Sequence, residues 1–217
     1  GSTEFAIGEG FSPLRLASRN MGCVSYANQF FANGKISNKR FERAIIQAEQ
    51  ELEPIISAYQ ETGWQQAVGT SGTIKTIRDM IVGLGWHPVC ITLPDLIRLQ
   101  ELLVAQQNSF QLDLPGLADD RKPLICSGLA ILIAAFQLLG IEQMYYVDAA
   151  LREGVLYEMS DRLHHHDIRE HTVHSLIKRY SIDIAQAGRV RQTALELFSQ
   201  VRLDWQLEDE HADLLGW

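Results

Sequence analysis

At 217 residues, 46% of them hydrophobic and 21% charged, the chain can bury a sizeable core in one large or two small domains, which excludes a disordered segment. Its longest apolar run, Leu124 to Gly140, is broken by Ser127, Gly128 and Gln137, short of the ~20 residues a spanning helix needs. The net charge of −8 argues against broad nucleic-acid binding and means that a polyanionic ligand must be met by basic residues gathered locally.

In chain order, Gly1-Ser2-Thr3-Glu4-Phe5 reads as the exit of a phosphate-gripping hairpin, a site cut in half at the amino terminus. Residues 2 to 20 suit a β-hairpin: Phe5 and Ile7, a turn around Gly8 to Pro13, then Leu14 and Leu16. Ser37 caps a long helix with Phe41, Ala44, Ile45, Ala48, Leu52, Ile55, Ile56 and Tyr59 at helical spacing, and Gly63 ends it. Trp64 to Val68 is predicted as a short strand and Thr73 to Leu84 as a helix. Thr92 caps the next helix, with Pro94 tolerated in its first turn. Asn108 to Arg121 forms a loop around Pro115-Gly116. A nearly all-apolar helix, Ile125 to Leu139, a strand, Met144 to Val147, and a short helix, Leu151 to Met159, complete an α/β pattern with a mixed sheet. From about His164 the character changes: His174 to Tyr180, Ala185 to Leu203 and Glu208 to Trp217 read as helices with no strand between them. The expected domains are 1–162 and an all-α unit at 163–217, with both ends of the chain reading as truncated.

The best local signal is Gly69-Thr70-Ser71-Gly72-Thr73, between a strand and a helix. Glycines allow close backbone approach, hydroxyls donate, and first-turn N–H groups hold anions; the plain alternative is a strand-to-helix turn with an ordinary Ser or Thr cap. Lys75 and Arg78 lie within two turns of this loop, whereas Lys35, Lys39, Arg40 and Arg43 read as a solvated face. Ser2 and Glu4 suit phosphate and a metal, since Mg²⁺ sits where carboxylate meets phosphate, although a lone strand carboxylate is commonly just solvated. Arg152 follows a strand, at the end where α/β proteins place ligands, or makes a surface ion pair. His164, His165, His166 and Asp167 are adjacent, so on a helix they point about 100° apart and cannot all face one metal. Cys23, Cys90 and Cys126 are far apart and odd in number; together with the absence of a leader they give the expectation of a cytoplasmic protein with reduced thiols.

These segments together resemble the exopolyphosphatase and guanosine pentaphosphate phosphatase family, Ppx/GppA, of the sugar kinase, heat-shock chaperone and actin superfold. The resemblance rests on Gly1 to Phe5, Met21-Gly22-Cys23-Val24-Ser25, Gly69 to Thr73, Pro115-Gly116-Leu117, Ser127-Gly128-Leu129-Ala130-Ile131-Leu132 and Ala150-Leu151-Arg152-Glu153-Gly154-Val155-Leu156-Tyr157-Glu158-Met159, in family order. It implies the second lobe of an actin-like (ribonuclease H-like) fold followed by the first helices of an HD-like domain. By position it makes Ser2 a phosphate contact, Glu4 the Mg²⁺-linked carboxylate and Gly69, Thr70, Ser71, Gly72 and Thr73 the second-lobe loop, with Gly1 beside Ser2; Lys75, Arg78 and Arg152 are then the candidates to hold the rest of the polyanion. The general base would lie in a first lobe outside this chain, leaving these residues inactive alone. A homodimer at full length and a cytoplasmic location, with peripheral attachment at the inner membrane as a variant, are also implied. Val24-Ser25-Tyr26, Thr73-Ile74-Lys75, Pro115-Gly116-Leu117 and Gly154 to Met159 look closer to the exopolyphosphatase branch, hence Mg²⁺-dependent hydrolysis of polyphosphate. The alternatives are guanosine pentaphosphate as substrate, a non-catalytic association role, and a kinase or chaperone of the same superfold.

Overall fold

The computed structural model describes residues 1–10, 12–87, 89–163, 173, 176–177, 180 and 182–216. Packing divides the chain into two compact units, Gly1–Ala150 and Leu151–Trp217.

The first unit begins with a hairpin of β1 (Thr3–Glu9) and β2 (Ser12–Arg19), paired antiparallel with a bulge at Ile7/Gly8. Thr3, Phe5 and Ile7 take the core face: the Thr3 hydroxyl donates to the Met21 carbonyl, Phe5 packs on the core and Ile7 is buried. Glu4 takes the opposite face by the two-residue alternation of a strand. Helix α1 (Cys23–Phe30) follows, burying Tyr26, Ala27 and Phe30. Sequence reading missed it because Gly22 caps it without any side-chain hydrogen bond and it spans only eight residues. Asn33 and Gly34, both at positive φ, turn the chain into the long helix α2 (Asn38–Thr62). Ser37 caps α2 as predicted, its hydroxyl accepting from Arg40 N, and Gly63 closes it at φ 67°. Phe41, Ala44, Ala48, Leu52, Ile55 and Tyr59 form its buried stripe.

The sheet is β3 (Ala67–Gly69), β4 (Ile91–Thr92) and β5 (Gln143–Tyr146), in the order β3-β5-β4. β3 runs parallel to β5 and β4 antiparallel to it, which gives the mixed sheet expected. The strand predicted at Trp64 to Val68 narrows to three residues because only Ala67, Val68 and Gly69 find partners on β5. Helices α3 (Gly72–Gly83) and α4 (Leu93–Gln106) connect the strands, α4 capped by Thr92 as predicted. Helix α5 (Ile125–Leu139) is the centre of the unit: every residue from Ile125 to Phe136 is buried, and α1, α2, α3 and α4 all pack on it. An all-round apolar helix is stable only when surrounded in this way.

The second unit is described from helices Leu151–Leu163, Ile184–Val201 and Asp209–Leu215. Asp183 caps the second of these, its carboxylate accepting from Gln186 N at 3.0 Å, and Phe198 is buried. Position 162, where the change in sequence character sets a boundary, lies inside Leu151–Leu163. Most of the helix expected at His174 to Tyr180, and all of His164 to Asp167, lie outside the described residues. Among the described residues no helix is long and apolar enough to cross a membrane.

Candidate phosphate site

β3 delivers Gly69 to the carboxyl end of the sheet, where Val147 N donates to its carbonyl at 3.1 Å. The position is tight: a Cβ there would stand 2.6 Å from Ile74 Cδ1 and 2.8 Å from Met144 Sδ, so both side chains would have to shift. Ser71 then caps α3, its hydroxyl accepting from Ile74 N at 3.1 Å and its carbonyl from Lys75 N at 2.9 Å. The ordinary cap is therefore present, and it is compatible with an anion site. The hydroxyl keeps its own proton to donate outward, and the first-turn N–H groups of Gly72 and Thr73 have no acceptor within the helix.

Three further backbone turns are tied to this one. A Cβ on Gly128, in the first turn of α5, would fall 2.1 Å from Thr73 Cγ2, so the two helices touch backbone against side chain. One residue earlier, the Ser127 hydroxyl lies 2.7 Å from the Cys23 carbonyl at the start of α1. Gly22, the cap of α1, is packed in turn on Gly1, whose carbonyl carbon is 2.6 Å from where a Gly22 Cβ would be. Gly1 and the Gly69–Thr73 loop, far apart in sequence, thus belong to one connected cluster of helix starts, Gly1–Gly22–Cys23–Ser127–Gly128–Thr73.

Arg121, at the end of the loop Asn108 to Arg121, also reaches this turn. A Cβ on Gly72 would lie 3.3 Å from its Nη1 and 3.4 Å from its Nη2, so the guanidinium rests against the first residue of α3. Its Nε also sits 3.3 Å from Asp120, and 42% of its side chain is exposed. No spacing in the sequence signals this contact; only the short turn Asp119–Arg121 before α5 creates it.

Lys75 is exposed on the first turns of α3. Arg78 is engaged elsewhere: its guanidinium lies 4.9 Å from the Tyr146 ring centre and its Nε 2.9 Å from Asp79. Tyr146 in turn donates to Asp148 at 3.1 Å, and burial together with that bond raises its phenol above the usual value. Arg152 belongs to the second unit and pairs with Glu153 at 2.6 Å, the surface ion-pair alternative. Gly1, Ser2 and Glu4 are exposed, and Ser18 Oγ donates to Glu4 Oε1 at 3.3 Å across the hairpin. Among the described residues no three His, Cys, Asp or Glu side chains gather to hold a metal. A lone open carboxylate such as Glu4 nevertheless fits Mg²⁺, which is commonly bound through one or two carboxylates with phosphate and water completing its shell. Cys126, beside Ser127, is no nucleophile: burial pushes its thiol up to about 12.

The sequence model of the Ppx/GppA phosphatase family matches residues 1–163, and that of domain III of Ppx/GppA phosphatases matches residues 168–217. The guanosine-5'-triphosphate,3'-diphosphate pyrophosphatase of Photobacterium profundum is 38% identical over 214 residues, covering 99% of this chain and 43% of that protein. The protein of the same description from Pseudoalteromonas translucida is 42% identical over 207 residues, covering 95% of this chain and 41% of that one. The chain thus spans less than half the length of these relatives. Among solved structures, the Aquifex aeolicus Ppx/GppA family member superposes with a TM-score of 0.63 at 21% identity, covering 76% of this chain and 55% of that one. An exopolyphosphatase from Cytophaga hutchinsonii gives 0.63 at 24%, covering 74% and 54%. At these identities the structural likeness establishes the actin-like α/β fold.

Proposed function

The chain belongs to the Ppx/GppA phosphatase family, and from that membership we propose that it supplies the phosphate-gripping face of an enzyme that removes the terminal phosphate of guanosine 5′-triphosphate 3′-diphosphate. The observation that carries this reading is the meeting of the Arg121 guanidinium with the uncapped N–H groups at the start of α3. A net-negative protein has gathered one cation and a helix N-terminus on the same point, which is what a terminal phosphoryl group requires.

In this reading the attacking water bonds to the terminal phosphorus while the bridging P–O bond breaks, releasing orthophosphate and a nucleotide one phosphate shorter. The base that takes the water's proton lies outside residues 1–217. The chain's own residues bind and orient: Gly72 and Thr73 N–H groups with Arg121 hold the phosphoryl oxygens, the Ser71 hydroxyl donates at the loop edge, and exposed Lys75 faces the rest of the polyanion. Glu4 would hold Mg²⁺, which when bound neutralises charge on the phosphoryl oxygens.

The names of the relatives favour the nucleotide over the polyphosphate that the branch-like residues suggest. The second reading, polyphosphate, keeps support from Thr73-Ile74-Lys75 and Val24-Ser25-Tyr26. The rate at which each substrate is consumed by the full-length protein, with both in competition, separates them: preference for the nucleotide is expected, and preference for polyphosphate would replace it. With either substrate, Arg121→Ala should lower kcat/KM by about tenfold or more, the scale of one lost charge-assisted hydrogen bond. An unchanged kcat/KM would remove Arg121 from the site.

A further inference from the structure

Two adjacent residues of α5 do not themselves face the phosphate in the reading above, yet they join the loop that does to the amino-terminal turn, whose Gly1 and Ser2 the family resemblance also assigns to phosphate. Ser127 is fully buried, and its hydroxyl lies 2.7 Å from both the Cys23 and the Leu124 carbonyls. With one proton to donate, it serves one of them at a time, and the Cys23 contact is what anchors the start of α1 to α5. Gly128 lets Thr73 enter the first turn of α5, since a Cβ there would overlap Thr73 Cγ2 at 2.1 Å. Gly1 leans on Gly22 at the cap of α1, and Arg121 leans on Gly72 at the head of α3. The Ser127-Gly128 pair therefore sits between the amino-terminal turn carrying Gly1 and Ser2 and the loop carrying Ser71 to Thr73.

We propose that Ser127 and Gly128 are positioning residues: they fix the spacing between the two phosphate-gripping turns, and widening that spacing loosens the grip without unfolding the lobe. The proposal rests on the phosphate reading of the loop. Its physical basis is that α5 is packed on every side, so an atom added at Gly128 has to be met by movement of Thr73, on the more exposed head of α3.

The test uses the 217-residue chain with inorganic triphosphate as the probe, binding followed by calorimetry and backbone amides by NMR. Gly128→Ala should weaken binding about tenfold, the loss of one well-placed charged hydrogen bond, and should shift the Thr73 and Lys75 amides while those of α4 stay in place. In a Thr73→Ser background, which lacks the colliding methyl, the same Gly128→Ala change should alter binding less than about twofold relative to Thr73→Ser alone, because coupling vanishes when one partner of a contact is removed. Ser127→Ala should shift the Cys23 to Ser25 amides and weaken triphosphate binding. A Gly128→Ala chain that is folded by circular dichroism and binds as the parent does overturns the proposal, as does an equal loss in both backgrounds. If the parent chain binds no triphosphate, the phosphate reading fails separately. The positioning is then judged on the amides: Gly128→Ala must move Thr73 and Lys75 in the parent and leave them in place in the Thr73→Ser background, and any other pattern overturns it.

Discussion

Replacing Gly116 by alanine is expected to destabilise the first unit by about 3 kcal/mol or more, the sum of left-handed backbone strain and overpacking in a rigid neighbourhood. Gly116 has φ +79°, and a Cβ built on it would lie 2.4 Å from both the carbonyl carbon and the oxygen of Asp79 and 2.6 Å from Met80 N. These are backbone atoms inside α3, so no side chain can swing away to make room. Gly10 and Gly85 are the matched comparison: they too have positive φ, at +58° and +72°, but nothing stands within 4 Å of their Cβ positions. Alanine there should cost only about 1 kcal/mol of backbone strain. Thermal unfolding should show a drop of roughly 6–12 °C for Gly116→Ala, taking about 2–4 °C per kcal/mol for a chain of this size. A loss no larger than that of Gly85→Ala would mean that the segment yields and that the close approach is not needed. The same crossing has a functional side. Pro115 packs against Gly83, where a Cβ would be 2.7 Å from Pro115 Cβ, and the chain leaves that contact through the turn Asp119–Arg121. Gly116 thus helps deliver Arg121 to the head of α3.

Glu4→Gln in the full-length protein is expected to remove activity by on the order of a hundredfold, the scale for one preorganised electrostatic group, while the fold survives. Glu4 is exposed on the outer face of β1, and Ser18 Oγ donates to its Oε1 at 3.3 Å. An exposed carboxylate of this kind contributes little to stability, and Gln keeps its shape and its ability to accept from Ser18. What Gln cannot do is offer a negative oxygen to a hard cation, so part of the activity should return at high Mg²⁺. Steady-state kinetics across a Mg²⁺ series, with circular dichroism on the same samples, makes the measurement. Turnover within a few-fold of the parent would return Glu4 to the role of a solvated strand residue.

Much of this protein is written locally. The caps Ser37 and Thr92, the terminator Gly63 and the apolar stripe of α2 follow from side-chain chemistry and helical spacing, because each depends on neighbours within four residues. The hairpin follows from alternation for the same reason. The glycine and hydroxyl loop was legible as a helix start, and the family was legible from the order of short motifs. Tertiary structure decided the rest. α1 exists because Tyr26, Ala27 and Phe30 find a core to enter, with no cap to announce it. β4 is a strand only because β5 lies beside it. Arg78 is near the loop in sequence yet is taken up by Tyr146 and Asp79, whereas Arg121, remote in sequence, reaches Gly72. The joining of Gly1, Gly22, Ser127, Gly128 and Thr73 into one cluster depends on how closely three helices approach α5 or one another at glycine. Such distances arise from packing between elements remote along the chain, and no local pattern encodes them.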